Sequence, residues 1–163
     1  SVDSDPYSHQ VVIDRGETDG VFEGQVVIVE HGIVGQVLSV GQNTSRVILI
    51  TDVTHAVPVR NSRNGIRLIA SGTGRIDVLT HNYVPHSSDI QTGDLLVTSG
   101  LAGKYPKGYP VAEVSIVNQD EGRAFAVVKS RPVANIDRLR YLLLLWPAKQ
   151  ANSLATRRDY ASK

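Results

Sequence analysis

Three groups of residues in this chain are of types that do chemistry. Ile50-Thr51-Asp52-Val53-Thr54-His55-Ala56 places an acid and an imidazole after an apolar run, and Thr98-Ser99-Gly100 places a hydroxyl beside a glycine. His55 with Ser99 is the pair that a two-barrel serine hydrolase would use, the imidazole taking the hydroxyl proton. The glycine arrangement of a Gly-Asp-Ser-Gly-Gly context, which would build an oxyanion hole, does not surround Ser99. Asp52 reads more simply as a turn residue bonding its own backbone. His81, His86 and Asp89 are of metal-ligating types, but their spacing matches no ligand signature and Pro85 with two serines gives the stretch the look of a linker. Gly72-Thr73-Gly74 lies between strands with no helix after it, so it is read as a turn and not a dinucleotide loop. No phosphate-cradling glycine loop, Gly-x-Ser-x-Gly elbow or His-Glu-x-x-His motif occurs. The residues call for no cofactor.

The elements that would position these groups are short extended runs bounded by Gly, Asn, Asp and Ser. Strands are predicted near 10–14, 25–30, 33–40, 46–51, 56–60, 66–70, 75–80, 94–98, 111–117, 124–129 and 139–145. In Gly65-Ile66-Arg67-Leu68-Ile69, Ile66 and Leu68 share a face that Arg67 does not. Val47-Ile48-Leu49-Ile50 does not alternate and is expected to be covered on both sides. Glu30-His31-Gly32-Ile33 reads as a tight hairpin with His31-Gly32 supplying positive φ. The one helical signal, around Asn135, allows a turn or two. The pattern predicts an all-β chain of two small related β-barrels with short loops and almost no helix.

The relation between the barrels rests on an internal echo. Val34-Gly35-Gln36-Val37-Leu38-Ser39-Val40 is answered by Val111-Ala112-Glu113-Val114-Ser115-Ile116-Val117. Gly24-Gln25-Val26-Val27-Ile28-Val29 and Gly93-Asp94-Leu95-Leu96-Val97-Thr98 precede the two copies, with Val21 and Ile90 three residues further upstream. The spacing differs: Gly24 to Val34 is ten positions and Gly93 to Val111 is eighteen. The extra eight residues fall within Gly100–Pro110, whose three glycines and two prolines exclude a regular element. Leu101, Tyr105 and Tyr109 make this loop apolar. Such a loop either folds its aromatics over its own barrel or presents them to a partner, and these three residues are the candidate protein-binding anchors. The expected division is an N-terminal extension over 1–10, a first module over 11–80 whose first strand is free to pair elsewhere, a second module over 81–147, and a basic polar tail over 148–163.

Composition narrows the function classes. The formal net charge of the 163 residues is +1, and the stretch Lys149–Lys163 alone holds four basic residues against one acid. The body is thus slightly acidic, and with two phenylalanines and one tryptophan it supplies neither the basic groove nor the stacking platform of a nucleic-acid domain. There is no cysteine, hence no disulfide framework or thiolate metal site. The longest apolar run, Tyr141–Trp146, is far below the roughly 20 residues that span a bilayer. The absence of methionine leads one to expect a processed or excised piece.

Several strings taken in order carry a family resemblance. They are Val12-Ile13-Asp14-Arg15-Gly16-Glu17-Thr18-Asp19-Gly20-Val21, Gly32-Ile33-Val34-Gly35-Gln36-Val37, Thr44-Ser45-Arg46-Val47-Ile48-Leu49-Ile50-Thr51-Asp52, Gly93–Leu101 and Tyr105-Pro106-Lys107-Gly108-Tyr109-Pro110-Val111. Together, from about Val11 to Leu145, they resemble the periplasmic β domain of the MreC family of rod shape-determining proteins. Ala112 stands where glycine is usual after Pro-Val, and Tyr105 and Tyr109 where phenylalanine and an aliphatic are frequent. The resemblance implies an inner-membrane anchor and a coiled coil upstream of paired β-barrels, a periplasmic location, and no catalytic residues. It implies a scaffold of the cell-wall elongation machinery that maintains rod shape. Its implied partners are itself, as dimer or filament, the elongation-specific penicillin-binding transpeptidase, MreD and MreB-linked components.

Overall fold

The computed structural model describes residues 9–30, 32–139 and 141–146. Eleven strands occupy them: β1 (Gln10–Ile13), β2 (Val26–Val29), β3 (Gly32–Val40), β4 (Ser45–Leu49), β5 (Ala56–Asn61), β6 (Arg67–Gly72), β7 (Leu79–Val84), β8 (Leu95–Thr98), β9 (Pro110–Asn118), β10 (Ala126–Pro132) and β11 (Leu143–Leu145). Helical structure among the described residues is limited to three 3-10 turns, at Glu17–Asp19, Leu101–Gly103 and Ile136–Arg138. The last follows Asn135 as expected, although the Asn135 side chain makes no cap hydrogen bond. The all-β reading holds.

The strands form two units. β5 to β10 close into a six-stranded barrel in the order β10-β7-β6-β5-β8-β9, and β1-β4-β3-β2-β11 form a five-stranded sheet. The division expected at residue 80 is corrected by this pairing: β5 and β6 belong to the barrel, and β11, expected in the second module, returns to pair with β2. Pairing is long-range and is decided by which apolar faces can be covered together, which local strand character does not encode. One further strand is displaced. The run expected at 75–80 lies at Leu79–Val84, because Gly74 at φ 82 and the bond from the Arg75 amide to Thr73 Oγ1 hold 73–75 in a turn. The β2–β3 hairpin takes its positive φ at Glu30 (φ 49) and not at Gly32. Gly32 is needed for another reason, since a Cβ there would lie 2.8 Å from the Ala134 amide nitrogen. His31 and the tail expected over 148–163 lie outside the described residues.

The internal echo extends to the hydrogen-bond register. β2 pairs β3 through Val26↔Gln36 and Val27↔Gly35, then slips to Ile28↔Ile33; β8 pairs β9 through Leu95↔Glu113 and Leu96↔Ala112, then slips to Val97↔Pro110. β3 pairs β4 with a bulge that skips Leu38, and β9 pairs β10 with a bulge that skips Ser115. The Gly24 amide bonds Val37 O as the Gly93 amide bonds Val114 O, each at 2.8 Å. Carried outward, the same register equates β1 with β7 and β11 with β5. Five strands with two coincident bulges define one repeated unit, since bulges are specific devices of twist and closure.

The two units share one core. Val27, Ile33, Val34, Val47 and Ile50 of the sheet and Val57, Val59, Leu79, Leu96 and Val111 of the barrel are fully buried within a single apolar cluster. Val47 to Ile50 are covered on both faces as expected.

Candidate functional site

The inserted loop between β8 and β9 meets the first unit at the junction of the two. Gly100, Gly103 and Gly108 take left-handed φ of 76, 65 and 95, and Ala102 joins them at φ 60. These reversals fold the loop back on Thr98, whose carbonyl accepts the Gly108 amide at 2.9 Å and whose amide donates to Tyr109 O at 2.8 Å. Tyr105 is turned inward and is 2 % exposed. Its hydroxyl and His55 Nε2 share a 2.7 Å hydrogen bond, with the rings edge to face at a centroid separation of 6.1 Å. Gln36 of β3 donates from Nε2 to Lys104 O at 2.6 Å and to Gly24 O at 3.1 Å, and Lys104 Nζ donates to Ala56 O at 2.9 Å. The Gln36 bond thus ties the loop to the sheet, while the His55 and Ala56 bonds tie it back to its own barrel, where the His55 carbonyl accepts from the Gly72 amide of β6.

The three candidate anchors separate on burial. Leu101 is 47 % exposed on the loop's 3-10 turn. Tyr109 is half-buried against the core. Tyr105 is not available to a partner in this arrangement, because its ring is buried in the core cluster and its hydroxyl is bonded to His55. Gln36 was not singled out by sequence, and its type alone carries no signal for a role across the junction.

Burial, with the Lys104 charge adding to it, lowers His55 to about 4 and keeps the imidazole neutral; burial pushes the Tyr105 phenol upward. The hydrolase pair is not assembled. His55 Nε2 is committed to Tyr105, while Ser99 Oγ accepts from the Leu101 amide at 3.2 Å; among the described residues neither is the other's hydrogen-bond partner. Asp52 fills the turn role: Oδ1 accepts from the Thr54 amide at 2.8 Å and its hydroxyl at 2.6 Å, and Oδ2 from the His9 amide at 2.7 Å. Burial works to raise the carboxyl, and these bonds outweigh it and hold it below its ordinary value.

The metal-type residues diverge. His81 is buried with Nε2 2.8 Å from Ser130 Oγ, and burial lowers it to about 4. His86 Nε2 meets the Arg123 carbonyl, and Asp89 pairs with Arg63 at 2.9 Å. Among the described residues no group of three acidic, histidine or cysteine side chains is placed to hold a metal ion. Arg63 also reaches Asp94 at 2.9 Å, and Asp94 accepts from Asn61 Nδ2 at 2.6 Å and the Gln91 amide at 2.9 Å. The Arg63 bond, ahead of the others, holds Asp94 down to about 2. Asp94 does at the foot of the barrel what Gln25, its counterpart in the echo, does in the sheet, where Gln25 Oε1 accepts from the Phe22 amide.

This architecture has known counterparts. Residues 1–146 match the family model described as rod shape-determining protein MreC, barrel core. The chain belongs to the MreC family. It is 57 % identical over 145 residues to the cell shape-determining protein MreC of Escherichia coli, covering 89 % of this chain and 40 % of that protein. With the MreC of Haemophilus influenzae the identity is 55 % over 148 residues, covering 91 % and 42 %. The chain thus spans about two-fifths of the length of these relatives. A crystal structure of MreC from Pseudomonas aeruginosa superposes with a TM-score of 0.85 at 49 % identity, covering 90 % of this chain and 94 % of that one. MreC from Helicobacter pylori, solved in complex with Penicillin-Binding Protein PBP2, superposes at a TM-score of 0.56 and 18 % identity over 86 % and 87 % of the two chains, a likeness of fold. In MreC terms, the inserted loop and the doubled unit both lie inside the barrel core. No helix of the described residues is long and apolar enough to cross a membrane.

Proposed function

We propose that this chain is the barrel core of a non-enzymatic scaffold that maintains rod shape by binding proteins of cell-wall elongation in the periplasm. The observation that carries the reading is the match of residues 1–146 to the MreC barrel core together with close relatives that are cell shape-determining proteins. The penicillin-binding transpeptidase of elongation is the first partner, with the H. pylori complex as the supporting parallel. MreD, MreB-linked components and further copies of the chain are the other partners. The parent protein is held at the inner membrane by a helix upstream of the core. Leu101 is the loop residue that reaches a partner, Tyr109 supports it, and Tyr105 positions the loop.

Capture of the purified transpeptidase ectodomain by the chain tests this, read beside restoration of rod shape in cells depleted of their own MreC. Leu101→Ser is expected to weaken capture by about tenfold or more, in line with loss of a central aliphatic anchor, while leaving the unfolding midpoint in place. Unchanged capture removes Leu101 from the interface. Failure of a chimera carrying this barrel core to restore rod shape overturns the scaffold reading.

A further inference from the structure

Charge on the barrel is unevenly placed. The stretches 53–76 and 97–112 hold six basic residues and no acidic one, whereas the rest of residues 1–148 holds seven basic and fifteen acidic. These two stretches contain β5, β6 and the inserted loop, and β5 lies between β6 and β8 in the barrel. Two of the six cations are neutralised where they stand: Arg63 pairs with Asp89 and Asp94, and Arg75 with Asp77. Among the described residues Arg60, Arg67, Lys104 and Lys107 enter no ion pair.

The register arranges these cations on one face. Arg60 of β5 and Arg67 of β6 stand directly opposite each other. The Asn61 amide bonds Ile66 O and the Ser99 amide bonds Pro58 O, so Arg60 and Arg67 fall at a non-hydrogen-bonded position, where facing side chains lie closest. Like charges so placed repel and destabilise the pairing. Arg60 is half-buried and its Nε is covered without a hydrogen-bond partner, so packing and not a carboxylate holds it. Along β5 the buried positions are Val57, Val59 and Asn61, which puts Ala56, Pro58 and Arg60 on the outer side. Pro58 faces Ile69, which is 43 % exposed. Two residues further along, Ala56 O accepts from Lys104 Nζ at 2.9 Å. Along β5 the outer face therefore presents an arginine pair, an apolar pair and an ammonium group. Arg60 to Ala56 is four residues, about 13 Å of extended strand.

We propose that the outer face of β5 and β6 docks an extended acidic segment of a partner protein, with two carboxylates four residues apart and an aliphatic side chain midway between them. One carboxylate lies across Arg60 and Arg67, whose guanidinium groups suit bidentate contact. The aliphatic side chain rests on Pro58 and Ile69, and the second carboxylate reaches Lys104. Side chains four residues apart on an extended chain share a face and are separated by the same roughly 13 Å. That spacing, with an apolar pair at its centre, favours a peptide over a layer of anionic lipid headgroups, which has neither a register nor an aliphatic group at that place. The bound carboxylate also relieves the repulsion between the two arginines, as acidic motifs do when they meet arginine clusters. The inference rests on the reading of the chain as a protein-binding scaffold, but requires neither Leu101 nor the transpeptidase.

The probe is a fluorescein-labelled peptide, Ser-Glu-Ser-Leu-Ser-Glu-Ser, titrated with the 163-residue chain at low salt and read by anisotropy. Saturable binding with a Kd below about 1 mM is expected, weakening as salt is added. A peptide with its two glutamates moved to adjacent positions should bind about tenfold or more weakly. Arg60→Gln/Arg67→Gln should weaken binding about tenfold or more and Lys104→Gln about threefold. Lys129→Gln/Arg131→Gln, which removes the same charge from β10, should leave it unchanged. Arg67→Gln alone should not lower the unfolding midpoint, since it removes a repulsion; this separates lost binding from a lost fold. Absence of saturable binding, equal binding of the respaced peptide, or an equal loss in the β10 variant overturns the proposal. So does a chain that ignores the peptide but binds phosphatidylglycerol vesicles through Arg60 and Arg67, since that result assigns the face to lipid. Transpeptidase capture is measured on the same variants, so failure of the peptide and failure of the scaffold reading are told apart.

Discussion

Tyr105 offers the sharpest test of how the loop is held. Its ring is 2 % exposed and its hydroxyl partners a histidine that burial keeps neutral. Tyr105→Phe keeps the ring and removes the hydroxyl, so His55 Nε2 loses its partner inside the protein, at a cost of about 1–3 kcal/mol. Tyr105→Ala also removes the ring and leaves a cavity, which costs about 3–5 kcal/mol. Against a total stability of about 5–15 kcal/mol, the second change consumes a large share. Urea unfolding followed by far-UV circular dichroism reads both, provided the slope with denaturant is unchanged. The double variant His55→Leu/Tyr105→Phe supplies the decisive arm. Removing both polar partners together should be less damaging than the sum of the single changes, by a coupling of about 0.5–3 kcal/mol. If Tyr105→Ala lies within about 1 kcal/mol of the parent, or if the two positions are strictly additive, the ring does not hold the loop on its barrel.

Two further outcomes follow from burial. Gly35→Ala places a Cβ 1.9 Å from Ile48 O and should destabilise by about 1–3 kcal/mol, as overpacking typically does, in urea unfolding, although its counterpart in the second repeat is already Ala112; a neutral Gly35→Ala contradicts the close approach of β4 to Gly35. His55 and His81 bind their protons near pH 4 when folded, against about 6.5 unfolded, so the unfolded chain takes up more protons between those values. Their stabilising contribution is full above about pH 6.5 and is lost as pH falls toward 4, roughly 3 kcal/mol for each; a thermal midpoint flat across that window refutes the assignment of both as buried neutral groups.

Much of this fold is legible in the residues. Each of the eleven expected extended runs has a strand in it or beside it, because Val and Ile clusters between turn formers leave few other local conformations. Val47–Ile50 announced a strand covered on both faces by its lack of alternation, and Asp52 before Thr54 announced its own turn. The echo of Val34–Val40 in Val111–Val117 anticipated equivalent strands in separate barrels; the matching bulges at Leu38 and Ser115 make the strands equivalent, one in the five-stranded sheet and one in the closed barrel. Family membership was legible too, because it rests on order and spacing along the chain.

What the tertiary structure decided is everything that depends on partners distant in sequence. β5 and β6 joined the barrel and β11 returned to β2, since sheet membership is settled by which faces and edges can be covered at once. Tyr105 went inward while Leu101, four residues earlier, stayed out; the loop's composition is the same for either choice, and only the folded barrel, which brings His55 at the start of β5 against the loop, distinguishes them.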